Sequence, residues 1–220
     1  MKLFETSDTD FPFGDNGMQA DLLWSLENLA WDPRYLTRVT CILGTLTRMD
    51  PFPDSNHANR PENSLKEIFV LWLNNSYASF KQKLAALDKL ISLEPTSAWK
   101  LVISMIPKGH DISSGTSKMR WREISAPRPP VPTNHFLIEA SNELFPRILK
   151  LARKNTPRLQ ELISHYDHFP DDFQKSIVFA ISEYCIENTS RSERNSFLSE
   201  LREIISRHRR FPEADWAMDE

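Results

Sequence analysis

Apolar residues recur along most of this chain at intervals of three and four, the spacing that gathers them on one face of an α-helix. Phe80, Leu84, Leu87 and Ile91 step in this way, as do Leu137, Ala140, Leu144, Ile148 and Leu151. Phe173, Ile177, Ile181 and Tyr184 form a third stripe. Phe197, Leu201, Ile204 and Ile205 form a fourth, with Glu200, Arg202, Glu203 and Arg207 turned away from it. Start signals agree. Asp32-Pro33 and Thr156-Pro157 each set a capping side chain before a proline at the first helical position. Ser64 with Glu67, Ser79 with Gln82, and Ser190 with Glu193 have the spacing of reciprocal capping boxes.

The pattern predicts helices over 18–30, 33–48, 64–73, 77–92, 96–106, 135–153, 157–168, 171–187 and 191–209, and a short one after Pro212. Two- to six-residue links between them favour antiparallel neighbours. The expected fold is all-α: antiparallel helix pairs in an irregular α-solenoid of the HEAT type or a helical bundle of about nine helices. Only five glycines occur, none after Gly115, which argues against a sheet protein built on tight turns.

Proline breaks the helical pattern in two places. One is 49–62. The other is 107–134, with Pro107, Pro127, Pro129, Pro130 and Pro132, because proline withholds a backbone donor and disfavours helix at the residue before it. The expected organisation is an N-terminal helical half over 1–106, a Pro-rich basic loop or hinge over 107–134, and a C-terminal helical half over 135–220.

The formal net charge of −3 lacks the basic excess of a chain devoted to phosphate contacts. Cys41 and Cys185 sit in apolar surroundings and read as buried thiols of a reducing compartment. The start Met1-Lys2-Leu3-Phe4-Glu5 has no signal-peptide character, and no apolar run approaches the roughly 20 residues needed to cross a bilayer. A cytoplasmic protein is therefore expected.

The minimal parts of several chemistries are missing. There is no Gly-x-x-x-x-Gly-Lys, no Gly-x-Gly-x-x-Gly, no nucleophile elbow around a serine and no motif that activates a thiol. A non-enzyme without cofactor or metal is expected. Glu161, His165 and His168 would share a face on a continuous helix, the geometry that grips a metal, yet surface polarity at a helix end accounts for them as well. Arg158 followed by His165 resembles the arginine-to-histidine spacing of HEPN ribonucleases, in which His165 would act as acid or base on a ribose hydroxyl. The residue after the arginine is usually polar in that family; here it is Leu159.

The loop offers the better surface. Lys108, Lys118, Arg120, Arg122 and Arg128 outnumber Asp111 and Glu123, and Trp121 stands between two arginines. Arginine beside an exposed aromatic suits a protein contact or a single-stranded nucleic acid, so Arg120, Trp121 and Arg122 are the expected binding residues. Arg207-His208-Arg209-Arg210 is explained by the helix dipole at a C-terminus. Trp24, Trp31, Trp72 and Trp99 read as packing residues.

Met49-Asp50-Pro51 leading to Asn59-Arg60-Pro61, Leu65 to Trp72, Ser97-Ala98-Trp99-Lys100-Leu101 through Ile106-Pro107, Met119-Arg120-Trp121-Arg122, and His208-Arg209-Arg210-Phe211-Pro212-Glu213-Ala214-Asp215-Trp216 together resemble a helical segment of very large bacterial multidomain proteins of the antiviral-defence sensor type. The resemblance implies a chain that is part of a longer polypeptide or a shortened relative of one. The effector would lie elsewhere, and the helices would sense a ligand or hold the assembly. The expected role is a helical scaffold or sensor with a protein partner, or with other domains of the same polypeptide, and without a membrane. Helical ribonuclease and nucleic-acid-binding protein are the alternatives.

Overall fold

The computed structural model describes residues 16–51, 57–106, 112–119, 123–187 and 190–210. Among them regular structure is entirely helical. Nine α-helices run α1 Asn16–Ala30, α2 Pro33–Met49, α3 Pro61–Phe69, α4 Phe80–Leu93, α5 Pro95–Ser104, α6 Asn134–Ala152, α7 Thr156–Ser164, α8 Asp171–Glu187 and α9 Arg191–Arg210, with a short 3-10 turn at Tyr166–His168. This is the all-α architecture that the periodicity predicts. The short helix after Pro212 falls outside the described residues.

By internal packing the chain divides into two units: residues 1–105 with 109–141, and residues 106–108 with 142–220. The first two turns of α6 belong to the first unit and the remainder to the second.

In the first unit α2 is the central helix and packs against α1, α3, α4 and α5. Its buried residues Leu36, Val39, Leu43 and Leu46 repeat every three or four positions. Asp32 caps it, accepting from the Arg34 amide, with Pro33 at the first turn. Gly44 is needed where α4 comes closest, because a Cβ there would collide with Leu90 Cδ1. Ser97 Oγ then donates to the Gly44 carbonyl at 2.7 Å, tying α5 to the same point.

The first helix of a proline-rich stretch starts earlier than expected. α3 begins at Pro61 rather than Ser64, and it ends at Phe69, short of residue 73. The Ser64–Glu67 pair is therefore inside the helix and is not a capping box. Ser64 Oγ donates instead to Glu27 of α1 at 2.6 Å. The boxes at Ser79–Gln82 and Ser190–Glu193 do form. At α7 the cap is Asn155, whose side chain accepts from the Arg158 amide, while Thr156 is already helical.

In the second unit α7 packs on α8 and α9. Leu144, Ile148 and Leu151 of α6, Leu159, Leu162 and Ile163 of α7, Phe173, Ile177 and Ile181 of α8, and Phe197 and Ile204 of α9 are buried. Phe145, Phe169 and Phe173 form an aromatic cluster, with the Phe145 and Phe173 rings stacked 4.1 Å apart. A polar seam joins α7 to α9. Thr156 Oγ1 donates to Glu193 at 2.9 Å, and Gln160 Nε2 donates to Ser196 and Glu200.

Two packing expectations need correction. Trp24 is 47% exposed, unlike the buried Trp31 and Trp99. Cys41 and Cys185 form no disulfide, but both are half-buried rather than fully enclosed.

Candidate functional site

The segment that follows α5 carries no helix over residues 112–119 and 123–133, and both stretches belong to the first unit. Proline keeps residues 123–133 out of helix, and side chains of the first unit place both stretches. Glu67 of α3 accepts from the Ser113 hydroxyl and from the amides of Ser114 and Gly115, at 3.0 and 3.1 Å for the amides. Gly115 has φ of 75°, a left-handed conformation that other residues adopt only under strain. Glu27 uses its second carboxylate oxygen on the Ser117 amide at 2.7 Å. The Trp31 indole donates to the Ser117 carbonyl at 2.9 Å.

The next residue adds a charge to this clamp. Lys118 Nζ lies 4.5 Å from the Trp31 ring centroid and 5.2 Å from that of Tyr77, within cation–π range. Further on, Asn74 Nδ2 donates to the carbonyls of Pro129 and Pro130 at 3.2 and 2.8 Å. Proline residues cannot form their own amide hydrogen bonds, but their carbonyls are strong acceptors, and Asn74 uses two of them. The result is a strap fastened near its start by α1 and α3 and near its end by the α3–α4 connection.

Beneath the strap lies a cleft of about 820 Å³. Its roof is Ala126–Thr133. Its floor and walls come from Val70, Leu71, Tyr77, Ala78, Phe80 and Lys83, and Phe136 closes it from the start of α6. The Phe80 and Phe136 rings meet edge-to-face at 5.3 Å. The α3–α4 connection that forms the floor is fixed from below, where Ser76 Oγ donates to the Ala30 carbonyl at 2.8 Å and the Tyr77 amide to the Trp31 carbonyl at 3.0 Å.

Lys83 is the unusual residue. It sits on the buried face of α4 with Ala86, Leu87 and Leu90 and is only 7% exposed. Its ammonium donates to the Val70 carbonyl at a long 3.4 Å. No carboxylate faces it among the residues that line the cleft; the titratable groups there are Lys83, Arg128 and Tyr77. Burial pushes its amine down to about 8. The apolar stripe read from the sequence had Phe80, Leu84, Leu87 and Ile91 on the inner face. The face actually covered is rotated to include Lys83, and Leu84 and Ile91 are only half-buried. A lysine at position i+3 of a helical stripe is the one textual hint, and it is weak because lysine stems often lie along apolar surface.

The other candidates are placed as follows. Arg120, Trp121 and Arg122 lie outside the described residues, between the two described stretches of the strap. Arg158 Nη1 donates to the Leu151 carbonyl at 2.7 Å and so closes the C-terminal end of α6. His165 stands at the C-cap of α7, not within a helix. His168 lies in the 3-10 turn beyond it, so Glu161, His165 and His168 do not share one helical face; the two histidine rings are 6.1 Å apart. Among the described residues no group of three or more side chains is arranged to hold a metal. The basic run at the end of α9 has a pairing role that the sequence reading missed. Arg207 bonds Asp167 at 2.5 Å, and the buried His208 lies 2.9 Å from the same carboxylate.

No family model, curated protein or solved structure matches the chain. Among the described residues no helix is long and apolar enough to cross a membrane.

Proposed function

We propose that this chain is a non-catalytic helical scaffold or sensor module that engages a protein through the outer face of its proline-rich strap. One observation carries the reading. The strap is bonded from beneath by Glu27, Glu67 and Asn74, and it holds Ile112 and Val131 outward at 93% and 79% exposure. Where hydrogen bonds already hold the backbone, covering apolar side chains costs less ordering of the chain, which favours association. Arg120, Trp121 and Arg122, between the two described stretches, supply the residue types that dominate protein contacts. The partner is a separate protein or another domain of a longer polypeptide. The resemblance to bacterial defence sensors and a cytoplasmic setting belong to this reading.

Two variants test it: Ile112→Asp with Val131→Asp, and alanine at Arg120, Trp121 and Arg122. Wild-type protein isolated from its native cells should retain a stoichiometric protein partner that both variants lose, with helical dichroism and melting temperature unchanged. Retention of the same proteins by all three, or melting of the variants, would overturn the proposal. Incubation with labelled RNA separates the main rival: cleavage that disappears in His165→Ala would replace the scaffold with a ribonuclease.

A second reading, binding of single-stranded nucleic acid, is favoured by a groove within the second unit. Lys150, Arg153, Lys154 and Lys175 line it beside Phe179, which is 63% exposed. Cations beside an exposed ring suit a phosphate backbone and a stacked base. Arg153 also reaches Glu183 at 3.8 Å. If this reading holds, affinity for a single-stranded oligonucleotide falls with salt at a slope of about −2 to −3.

A further inference from the structure

We infer that the cleft under the strap binds a small organic monoanion, with a carboxylate seated against the Lys83 ammonium and an apolar body held between Phe80, Phe136 and the proline roof. Three features lead there. The cleft volume of about 820 Å³ falls in the range of small-molecule sites, and its lining is mainly apolar with a few polar groups, as such sites are built. The apolar walls require an apolar body on the ligand.

Charge supplies the second feature. Lys83 is buried, its hydrogen bond to Val70 is long, and among the described residues no acidic side chain lines the cleft with it. A buried ammonium in this state lacks the counter-ion that would offset its desolvation. A single negative charge matches a single buried cation. Arg128, the other cation of the lining, is exposed to water, which screens its charge and leaves one buried cation to match.

The third feature removes a competing site. The N-terminus of α4 opens near the cleft, but Ser79 and Gln82 already satisfy each other's backbone groups in a capping box, with Ser79 accepting from the Gln82 amide at 3.3 Å. The box occupies the Ser79 and Gln82 amides, so the buried ammonium of Lys83 is the stronger seat for the anion. Depression of the amine to about 8 agrees, since pairing with a carboxylate restores the charged form.

Binding would give the module an input. A body lying against Ala126–Thr133 supports the strap from below, and the same strap carries the outward contact residues. That consequence rests on the function proposed above. The binding itself does not, because it is read on the isolated protein with no partner present.

The probe is octanoate, with 1-octanol as the uncharged control and acetate as the anion without a body, measured by calorimetry and by the Nζ-adjacent carbon signal of Lys83 in nuclear magnetic resonance. Octanoate should bind saturably, at least tenfold more tightly than octanol or acetate. Its affinity should fall as pH rises through about 8, and the titration midpoint of Lys83 should move upward on binding. Lys83→Met should lose at least tenfold toward octanoate and keep its affinity for octanol. The inference is overturned by absent saturable binding of octanoate, by equal affinity for octanol, by an affinity flat between pH 7 and 10, or by full octanoate affinity in Lys83→Met. The pH profile uses the unmodified chain, so it stands whether or not the variant folds.

Discussion

Replacing Lys83 by methionine isolates the cost of burying its charge. Methionine keeps much of the stem's length and apolar packing and removes the ammonium. Burial lowers the amine from an ordinary 10.5 to about 8. At about 1.4 kcal/mol for each tenfold change, this is a penalty of about 3 kcal/mol carried by the folded chain while Lys83 is charged. Below pH 8 both folded and unfolded chains hold the proton, and the full penalty applies. Between pH 8 and 10.5 the unfolded chain holds the proton more than the folded chain does, so stability rises with pH.

The variant escapes that penalty at pH 7 and loses one long hydrogen bond to Val70, worth about 1 kcal/mol. Lys83→Met should therefore be more stable than the parent by about 2 kcal/mol at pH 7. By pH 10 the advantage should vanish or reverse, a swing of about 2–3 kcal/mol. Urea denaturation of both proteins at pH 7 and pH 10 gives the four free energies. Taking the difference between the two proteins cancels the other tyrosine and lysine titrations that both share. A difference that stays constant from pH 7 to pH 10 refutes the reasoning, as does a variant less stable than wild type at pH 7.

Three further outcomes are expected. Gly44→Ala should destabilise by about 1–2 kcal/mol in a thermal melt, because the new methyl displaces the fully buried Leu90 by more than the gain in helix propensity offsets. Glu67→Ala should release the strap at its first clamp, costing about 1–3 kcal/mol, and the Gly115 amide should exchange with solvent at least tenfold faster. Glu62 is surrounded by Arg60, Lys66 and Lys100. Burial alone would raise its carboxyl, but hydrogen bonds from the two lysines outweigh this and hold it below the usual value. Its contribution is complete above about pH 4.3, the unfolded value, and is lost as pH falls through the lowered folded value. Glu62→Gln should thus cost about 1 kcal/mol at pH 7 in urea denaturation and nothing at the acid end of the curve.

The helices were legible where one face alone meets the core. α2, α6 and α8 have buried stripes of aliphatic and aromatic residues at regular spacing, and their limits follow within one or two positions. Reading failed where two residues of the right type had a better partner far away. Ser64 and Glu67 have the spacing of a capping box, yet each is bonded to a distant group: Ser64 to Glu27, and Glu67 to backbone 47 and 48 residues on. Asn155 and Thr156 are both capping residues, and only the geometry decides between them. The strap was visible as a proline-rich interruption, but its attachment was not. It depends on Glu27 meeting Ser117 across 90 residues and Asn74 meeting Pro130 across 56, contacts that no local pattern encodes. Lys83 was hidden for a different reason: a polar residue beside an apolar stripe is ordinarily read as its outer edge.

Other polar side chains within the first unit show by contrast what Lys83 lacks. Glu27 has one carboxylate oxygen on Ser64 and the other on Ser117. Arg60 is paired with Asp50 at 2.9 Å. These groups are buried beside hydrogen-bonding or oppositely charged side chains, which is how a fold keeps polar groups inside at tolerable cost. Lys83 is as buried as they are and has a single long bond to a neutral carbonyl. An apolar residue of the same length would be the more stable choice at neutral pH, so packing does not account for a lysine at this position. Its location does suggest a reason: Lys83 lines the cleft, and among the described residues that line it none is acidic. A carboxylate at this position, as inferred above, would supply the counter-charge that the lining lacks.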